Sequence, residues 1–284
     1  MTALSTLART EAAGAVTEIR PESRWTPDFG EVWAYRELLY FLTWKDLKVR
    51  YKQTVLGAGW AVVQPVLTMV VFSVFFGRLG GLPSDGLPYP VFTYAALLPW
   101  MLFAHVLVQS SQSIVNHQSL ITKVYFPRLL IVLAPLGVGL VDFALAFVVL
   151  LAIMLWYGLV PGPGLLLVPP CVALAALAAV AVGVWLAALN VRYRDVRYTV
   201  PFLTSLWLFA SPVAYPSSLV PERWRWLYGL NPMAGAIEGF RWALFGQGGT
   251  SAPLVAASVG VTLFLLVTGL IYFARVEQTF ADLV

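Results

Sequence analysis

The chain has 284 residues, of which 60% are hydrophobic and 11% charged; soluble domains carry about 25% charged residues. So much apolar surface excludes a single water-solvated core and makes lipid the solvent for much of the molecule. The net charge of +4 does not argue for nucleic acid, because Lys and Arg crowd beside uncharged runs, as in membrane proteins, and the single cysteine, Cys171, excludes an intramolecular disulfide.

Residues 1–30 are mixed in charge, lack the apolar stretch of a signal peptide, and read as a cytoplasmic N-terminal tail. Residues 31–55 carry two apolar stripes at helical spacing. One is Tyr35, Leu39 and Leu42; the other is Trp44, Leu47, Tyr51 and Val55. At about 100° per residue the stripes point nearly opposite ways. This predicts an amphipathic region with a break or bend near Thr43, both pieces lying at the cytoplasmic membrane surface. The alternative is one continuous helix whose two faces meet different partners.

No charge occurs between Lys52 and Arg78, a run long enough to cross a bilayer core of roughly 30 Å as a helix. It predicts a first span at 56–79, kinked at Pro65. Further uncharged runs predict spans at 90–109, within 129–157, within 165–189, at 198–216 and at 253–274, with Pro-Gly-Pro-Gly at 161–164 as the turn between the third and fourth. The fold class is therefore an all-α integral membrane protein with six transmembrane helices over 56–274 and a cytoplasmic C-terminal tail, 275–284. Of the 18 Lys and Arg, only Arg78, Arg223, Arg225 and Arg241 then fall in outer segments, which sets both termini inside.

Between spans two and three, a polar stretch at about 112–124 is predicted helical over 113–122. It carries Asn116, His117, Gln118 and Lys123 and is followed by Tyr125, Phe126 and Pro127. Presented at the cytoplasmic face, it suits docking of a soluble partner; the alternative is a solvated connector. The outer segment 217–249 holds Trp224, Trp226 and Tyr228, then Asn231-Pro232, then an apolar stretch to Gly246. Each piece is too short to span, so two short re-entrant helices joined at Asn231-Pro232 are expected, with an aromatic-capped surface loop as the alternative. Glu238 and Arg241 are placed to pair on one helix face.

Motifs for chemistry are sparse. No Gly is followed by Lys, so no P-loop exists. No Cys/His cluster has metal-ligand spacing, and His105 and His117 form no catalytic set. Neither a catalytic nor a metal residue is expected. Within the spans Asp142 and His105 are the ionisable groups, and such groups are functional candidates in membranes. Asp142 is expected in a helix–helix hydrogen bond, a proton relay being the alternative; His105 reads as a packed polar residue.

Six stretches together resemble the permeases of type-2 ABC exporters for polysaccharides, the Wzm/TagG/KpsM type. They are WKDLKVRYKQTVLGAGWAVVQPVLTMVVFSVFFGRL (44–79), LLPWMLFAHVL (97–107), VYFPR (124–128), LNVRYRDVRY (189–198), SPVAYP (211–216) and NPMAGAIEGFRWALFG (231–246). The resemblance runs from about residue 25 to the C-terminus. It implies a homodimer in the bacterial inner membrane, joined by two copies of an ATP-binding subunit that holds ATP and Mg, so that this chain has no cofactor of its own. The cargo implied is a lipid-linked glycan such as O-antigen, capsule or teichoic acid.

Roles follow from the same resemblance. The helix at 112–124, through Ser113, Ile114, Asn116, His117, Gln118, Leu120 and Lys123, would be the coupling helix that docks on the ATPase. The region 31–52 would be the interfacial gate helix, with Trp44, Lys45, Lys48, Arg50, Tyr51 and Lys52 at the inner leaflet. Tyr94, Trp100, Phe103, Trp207 and Phe209 are candidates to line a channel, since aromatic rings make sliding contacts with sugars. Trp224, Trp226, Asn231, Glu238 and Arg241 belong to the outer helices that would shape the exit. Other functions to weigh are a type-2 permease for another lipid or a drug, a membrane enzyme acting on lipid-linked sugars, and a proton-coupled carrier using Asp142.

Overall fold

In a computed structural model, residues 28–52, 57–246 and 252–277 are described, and among them every regular element is helical. The expected tails therefore lie outside the described residues, except where their inner ends join helices. The Asp28 carboxylate caps α1 (Phe29–Ala34) by accepting the N–H groups of Gly30 and Glu31. The chain breaks at Tyr35 and enters α2 (Arg36–Tyr51), which runs through Thr43 without interruption. The expected break is thus eight residues early and the continuous-helix alternative describes α2. Leu38, Leu39 and Leu42 pack on the core, whereas Tyr40 and Trp44 stay exposed.

The first span, Gly57–Leu79, comprises α3 (Trp60–Phe72), with Pro65 inside it, and a π-helical continuation over Ser73–Leu79. α4 (Tyr89–Asn116) and α6 (Leu129–Trp156) flank the one-turn helix α5 (Gln118–Ile121); α7 (Val168–Arg192) follows, after a 3-10 stretch at Pro163–Leu167. α8 (Val196–Phe209), α9 (Glu222–Tyr228) and α10 (Pro232–Phe245) precede α11 (Ala252–Glu277).

Among the described residues five helical stretches are long and apolar enough to cross a membrane: Gly57–Leu79, Tyr89–Asn116, Leu129–Trp156, Pro163–Arg192 and Ala252–Glu277. The fifth expected span, 198–216, is not among them. α8 has 14 residues, about 21 Å, and the chain leaves it at Ala210. Pro212 has no N–H to give the Leu208 carbonyl and its ring clashes there, and distant side chains take the carbonyls that follow. Asn231 Nδ2 donates to Ala210 O at 3.1 Å, and Arg241 donates to the carbonyls of Pro212 and Val213. An uncharged run reads as a span by composition, yet its outer third is a turn held by distant donors.

α4 is the central post and packs on α3, α6, α7, α8 and α10. In lipid, apolar area gives little preference for one partner over another, so helices associate through small residues and interhelical hydrogen bonds. α7 meets α4 along a face rich in buried alanines, and a Cβ at Gly183 would stand 2.9 Å from Ser110 Cβ. Ser110 Oγ donates to Val132 O at 2.6 Å, and Asn190 Nδ2 donates to Ser111 O at 2.8 Å, which locks α6 and α7 onto the same turn of α4.

Candidate functional site

α2 is fixed to α6 at two points. Thr43 Oγ1 donates to Ala134 O at 3.2 Å, and the Tyr51 hydroxyl donates to Asp142 Oδ1. The sequence separation is 91 at both contacts, so the two helices run in the same direction over about 12 Å. α2 thus stands alongside a spanning helix rather than flat across its end, which corrects the expected surface-lying pair of pieces. Close approach is possible because residue 137 is glycine: a Cβ there would lie 2.5 Å from Thr43 Cγ2.

Four side chains from three helices then converge. Arg50 Nη2 pairs with Asp142 Oδ2 at 2.8 Å, and Arg50 Nη1 lies 3.1 Å from His105 Nδ1. Arginine only donates, so the imidazole accepts. Burial and the Asp142 carboxylate push the Tyr51 hydroxyl up to about 12, so it remains a donor at neutral pH. Asp142 therefore makes the helix–helix hydrogen bond expected of it, and an ion pair besides. The cluster closes one end of a cavity of about 300 Å³ between α3, α4 and α6.

Toward the C-terminal end of α4, Lys45 Nζ meets His117 Nε2 at 3.1 Å, while His117 Nδ1 meets Ser113 O at 2.9 Å. A carbonyl can only accept, so Nδ1 carries the proton and Nε2 accepts from Lys45. The six expected gate residues thus divide. Lys45, Arg50 and Tyr51 turn toward α4 and α6. Lys48 lies over the Trp44 ring at 5.1 Å on the outward face, and Lys52 is exposed at the helix end.

The expected docking helix is shorter than its reading. α4 continues to Asn116, breaks at His117, and only Gln118–Ile121 forms a separate turn. Ser113 and Ile114 are buried inside α4 and offer nothing to a soluble partner. Asn116, Gln118 and Lys123 are exposed, and His117 and Leu120 half-buried. Behind this turn Arg128 donates to Glu277 at the end of α11, and burial with the nearby Glu31 carboxylate raises the Tyr125 hydroxyl. α1, the stretch after the α5 turn and the end of α11 thereby meet at one end of the helix bundle.

Of the candidate channel aromatics, Tyr94, Trp100 and Phe103 are core residues. Tyr94 donates to Ala146 O and Phe103 stands edge-on to Trp207 at 5.1 Å, so within this chain these rings serve to hold α4 to its neighbours. Trp207 is half-buried and donates to Asn231 Oδ1, which leaves Phe209, about half exposed and stacked on Phe72, as the outward ring.

The outer segment does form two short helices joined at Asn231-Pro232. Asn231 caps α10 by accepting the Met233 N–H; it also accepts from Trp207 and donates to Ala210 O and Ser211 Oγ. All four positions of its amide are filled. Glu238 and Arg241 pair at 3.2 Å, as their spacing suggested, but deep in the protein, and the guanidinium lies 3.6 Å above the Phe92 ring. Trp224 and Trp226 are exposed. Among the described residues no group of His, Cys, Asp or Glu could hold a metal.

Sequence reasoning took His105 as isolated and missed its convergence with Arg50 and Asp142. The three lie on separate helices, and only the basic character of 45–52 hinted at a partner for a lone buried acid.

Comparison with known proteins agrees with this architecture. Over 255 residues the chain is 29% identical to an O-antigen export system permease protein, RfbA, of Myxococcus xanthus, covering 89% of this chain and 97% of that one. Two Klebsiella pneumoniae proteins of the same name are 28% and 27% identical over 248 residues, covering 87% of this chain and 95% of each. The family described as ABC-2 type transporter matches residues 37–245, from the first turn of α2 to the end of α10. On that match the chain, a multi-pass membrane protein, belongs to the ABC-2 type transporter permeases.

Proposed function

We propose that this chain is the membrane permease of an ATP-driven exporter that carries a lipid-linked O-antigen polysaccharide across the bacterial inner membrane. It works as a homodimer with two copies of a separate ATP-binding subunit, both termini being cytoplasmic. The observation that carries this reading is the likeness to O-antigen export permeases over nearly the full length of both chains. α8 makes the sixth crossing together with the turn 210–215, while α9 and α10 dip into the outer leaflet around the exit.

The geometry supplies a route for force. Asn116, Gln118 and Lys123 present the docking turn. When the ATP-binding pair closes, displacement of that turn moves His117, and the Lys45 contact passes the movement to α2. α2 in turn bears on α6 through Thr43 and packs against the start of the first span at Gly57–Gly59, so the docking stroke reaches the bilayer-spanning layer within one helix length.

The test is co-purification of the full chain with the ATP-binding protein encoded beside it, followed by ATP hydrolysis and export of carrier-linked glycan into vesicles. A complex of two chains with two ATPases that loses export when Asn116 and His117 are both replaced by Ala supports the reading. A chain that purifies alone with every candidate ATPase refutes it.

A further inference from the structure

The cavity beside the Arg50–Asp142 pair gathers its polar groups on one side along α4 and α6. α4 and α6 are antiparallel: Tyr94 bonds to Ala146 and Ser110 to Val132. Toward the end where α4 stops and α3 and α6 begin, the polar lining is His105, Gln109, Gln64 and Asp142, together with Arg50, set among the small apolar surfaces of Ala61, Ala104, Val108 and Gly139. Toward the other end it is apolar, with Leu98, Met101 and Leu102 from α4 and Phe143 and Ala146 from α6. Trp60 stands at the mouth, half exposed, as amphipathic aromatics do at a membrane interface.

A space polar at its cytoplasmic end and apolar toward the bilayer centre has the orientation of an inner-leaflet lipid. Its charge is also specific, because the polar end carries one cation and one anion. Both open partly into the space, the side chain of Arg50 being 36% exposed and that of Asp142 16%. We propose that this cavity is a binding site for a zwitterionic phospholipid with a primary ammonium, the phosphoethanolamine class. The phosphate takes Arg50 with help from the Gln64 and Gln109 amides, the ammonium takes Asp142, and one acyl chain lies along Leu98, Met101 and Phe143. The volume of about 300 Å³ equals about ten waters at about 30 Å³ each, enough for such a headgroup.

Competing lipids fit less well. An anionic headgroup satisfies Arg50 but sets a second negative charge against Asp142. A trimethylammonium headgroup has no N–H to give a carboxylate. A polyprenyl diphosphate brings several negative charges to a site holding one cation and one anion. The inference is independent of the transported cargo and concerns a lipid held within one protomer.

The test uses the full-length chain in detergent, with native mass spectrometry for retained lipid and thermal unfolding upon adding phosphatidylethanolamine, phosphatidylglycerol or phosphatidylcholine of matched chains. One phosphatidylethanolamine per chain should survive delipidation and raise the unfolding midpoint. The other two should bind about tenfold more weakly, the cost of one charge-assisted hydrogen bond. Asp142→Asn should erase the preference over phosphatidylglycerol, whereas Arg223→Gln, on the exposed outer segment, should leave it intact. Equal binding of the three lipids to the unmodified chain overturns the proposal without recourse to any variant. So does an unchanged preference in Asp142→Asn, or displacement of phosphatidylethanolamine by a polyprenyl diphosphate at lower concentration.

Discussion

Replacing Arg241 by Met keeps the length of the side chain and removes its charge. Arg241 and Glu238 have side chains only 5% and 11% exposed, and the guanidinium also donates to the carbonyls of Pro212 and Val213. After the substitution Glu238 keeps the Ser217 N–H at 3.2 Å, but its charge is buried without a counterion, and two carbonyls lose their donor. Breaking a buried pair from one side costs about 3–5 kcal/mol. At roughly 2–4 °C per kcal/mol for chains of this order of size, the unfolding midpoint should fall by about 6–20 °C. The assay is tryptophan fluorescence of the detergent-solubilised protein on heating, for which the 11 tryptophans give ample signal. In the double variant Glu238→Gln/Arg241→Met the acid is neutralised as well, so its loss should be clearly smaller than the two single losses added. A single variant within about 2 °C of the parent, or strictly additive losses, would refute the assignment of this pair as the clamp on the turn after α8.

Other perturbations test the remaining joints. Gly137→Ala inserts a Cβ 2.5 Å from Thr43 Cγ2 and should lower export and thermal stability together; adding Thr43→Ser, which removes the clashing methyl, should restore both, and failure of that rescue would sink the α2–α6 register. Lys45→Met should leave ATP hydrolysis by the assembled complex in place while export falls, since the contact with His117 transmits motion and makes no nucleotide site; parallel loss of both activities would contradict it. In a Cys171→Ala background, cysteines at 116 and 118 should react with a water-soluble maleimide from the cytoplasmic side and one at 114 should not; labelling at 114 would show that α4 ends earlier than Asn116. Asn231→Ala removes the α10 cap and three further hydrogen bonds, so its cost should exceed the roughly 1 kcal/mol of an ordinary cap, read as a lowered unfolding midpoint.

Much of this architecture can be read along the chain because lipid imposes a simple rule. A polar backbone in hydrocarbon must be helical, so uncharged runs became helices, and the pairing of Asn231 with the start of α10 follows from its capping chemistry. What escaped reading depends on contacts across long separations. The run at 198–216 looks like a span because composition is blind to Asn231 and Arg241, which take its carbonyls from 21 to 29 residues away. The expected bend at Thr43 failed because a helix with two opposed apolar faces was assumed to lie on one flat surface. In fact α6 supplies a wall for one face, and the glycine at 137 permits the contact. Ser113 and Ile114 were placed on a docking face by the resemblance, which does not tell the last turns of a long spanning helix from the first turns of a new one. The coupling of Arg50 to His105 and Asp142 joins residues 55 and 92 positions apart, a proximity no local pattern encodes.

The shortness of α8 sets the thickness of the wall it builds. As the sixth crossing proposed above, its 14 residues would cover about 21 Å of a hydrocarbon slab of about 30 Å, and the remaining depth would be taken by the turn at 210–215, whose carbonyls at Ala210, Pro212, Val213 and Ala214 already have donors. In the exporter proposed above, a polar chain passing beside this helix would meet lipid-like surroundings over about a third less distance than beside the five long apolar stretches. The hydration it must surrender falls in proportion, and the bilayer is in effect thinned at one place without any lipid being displaced.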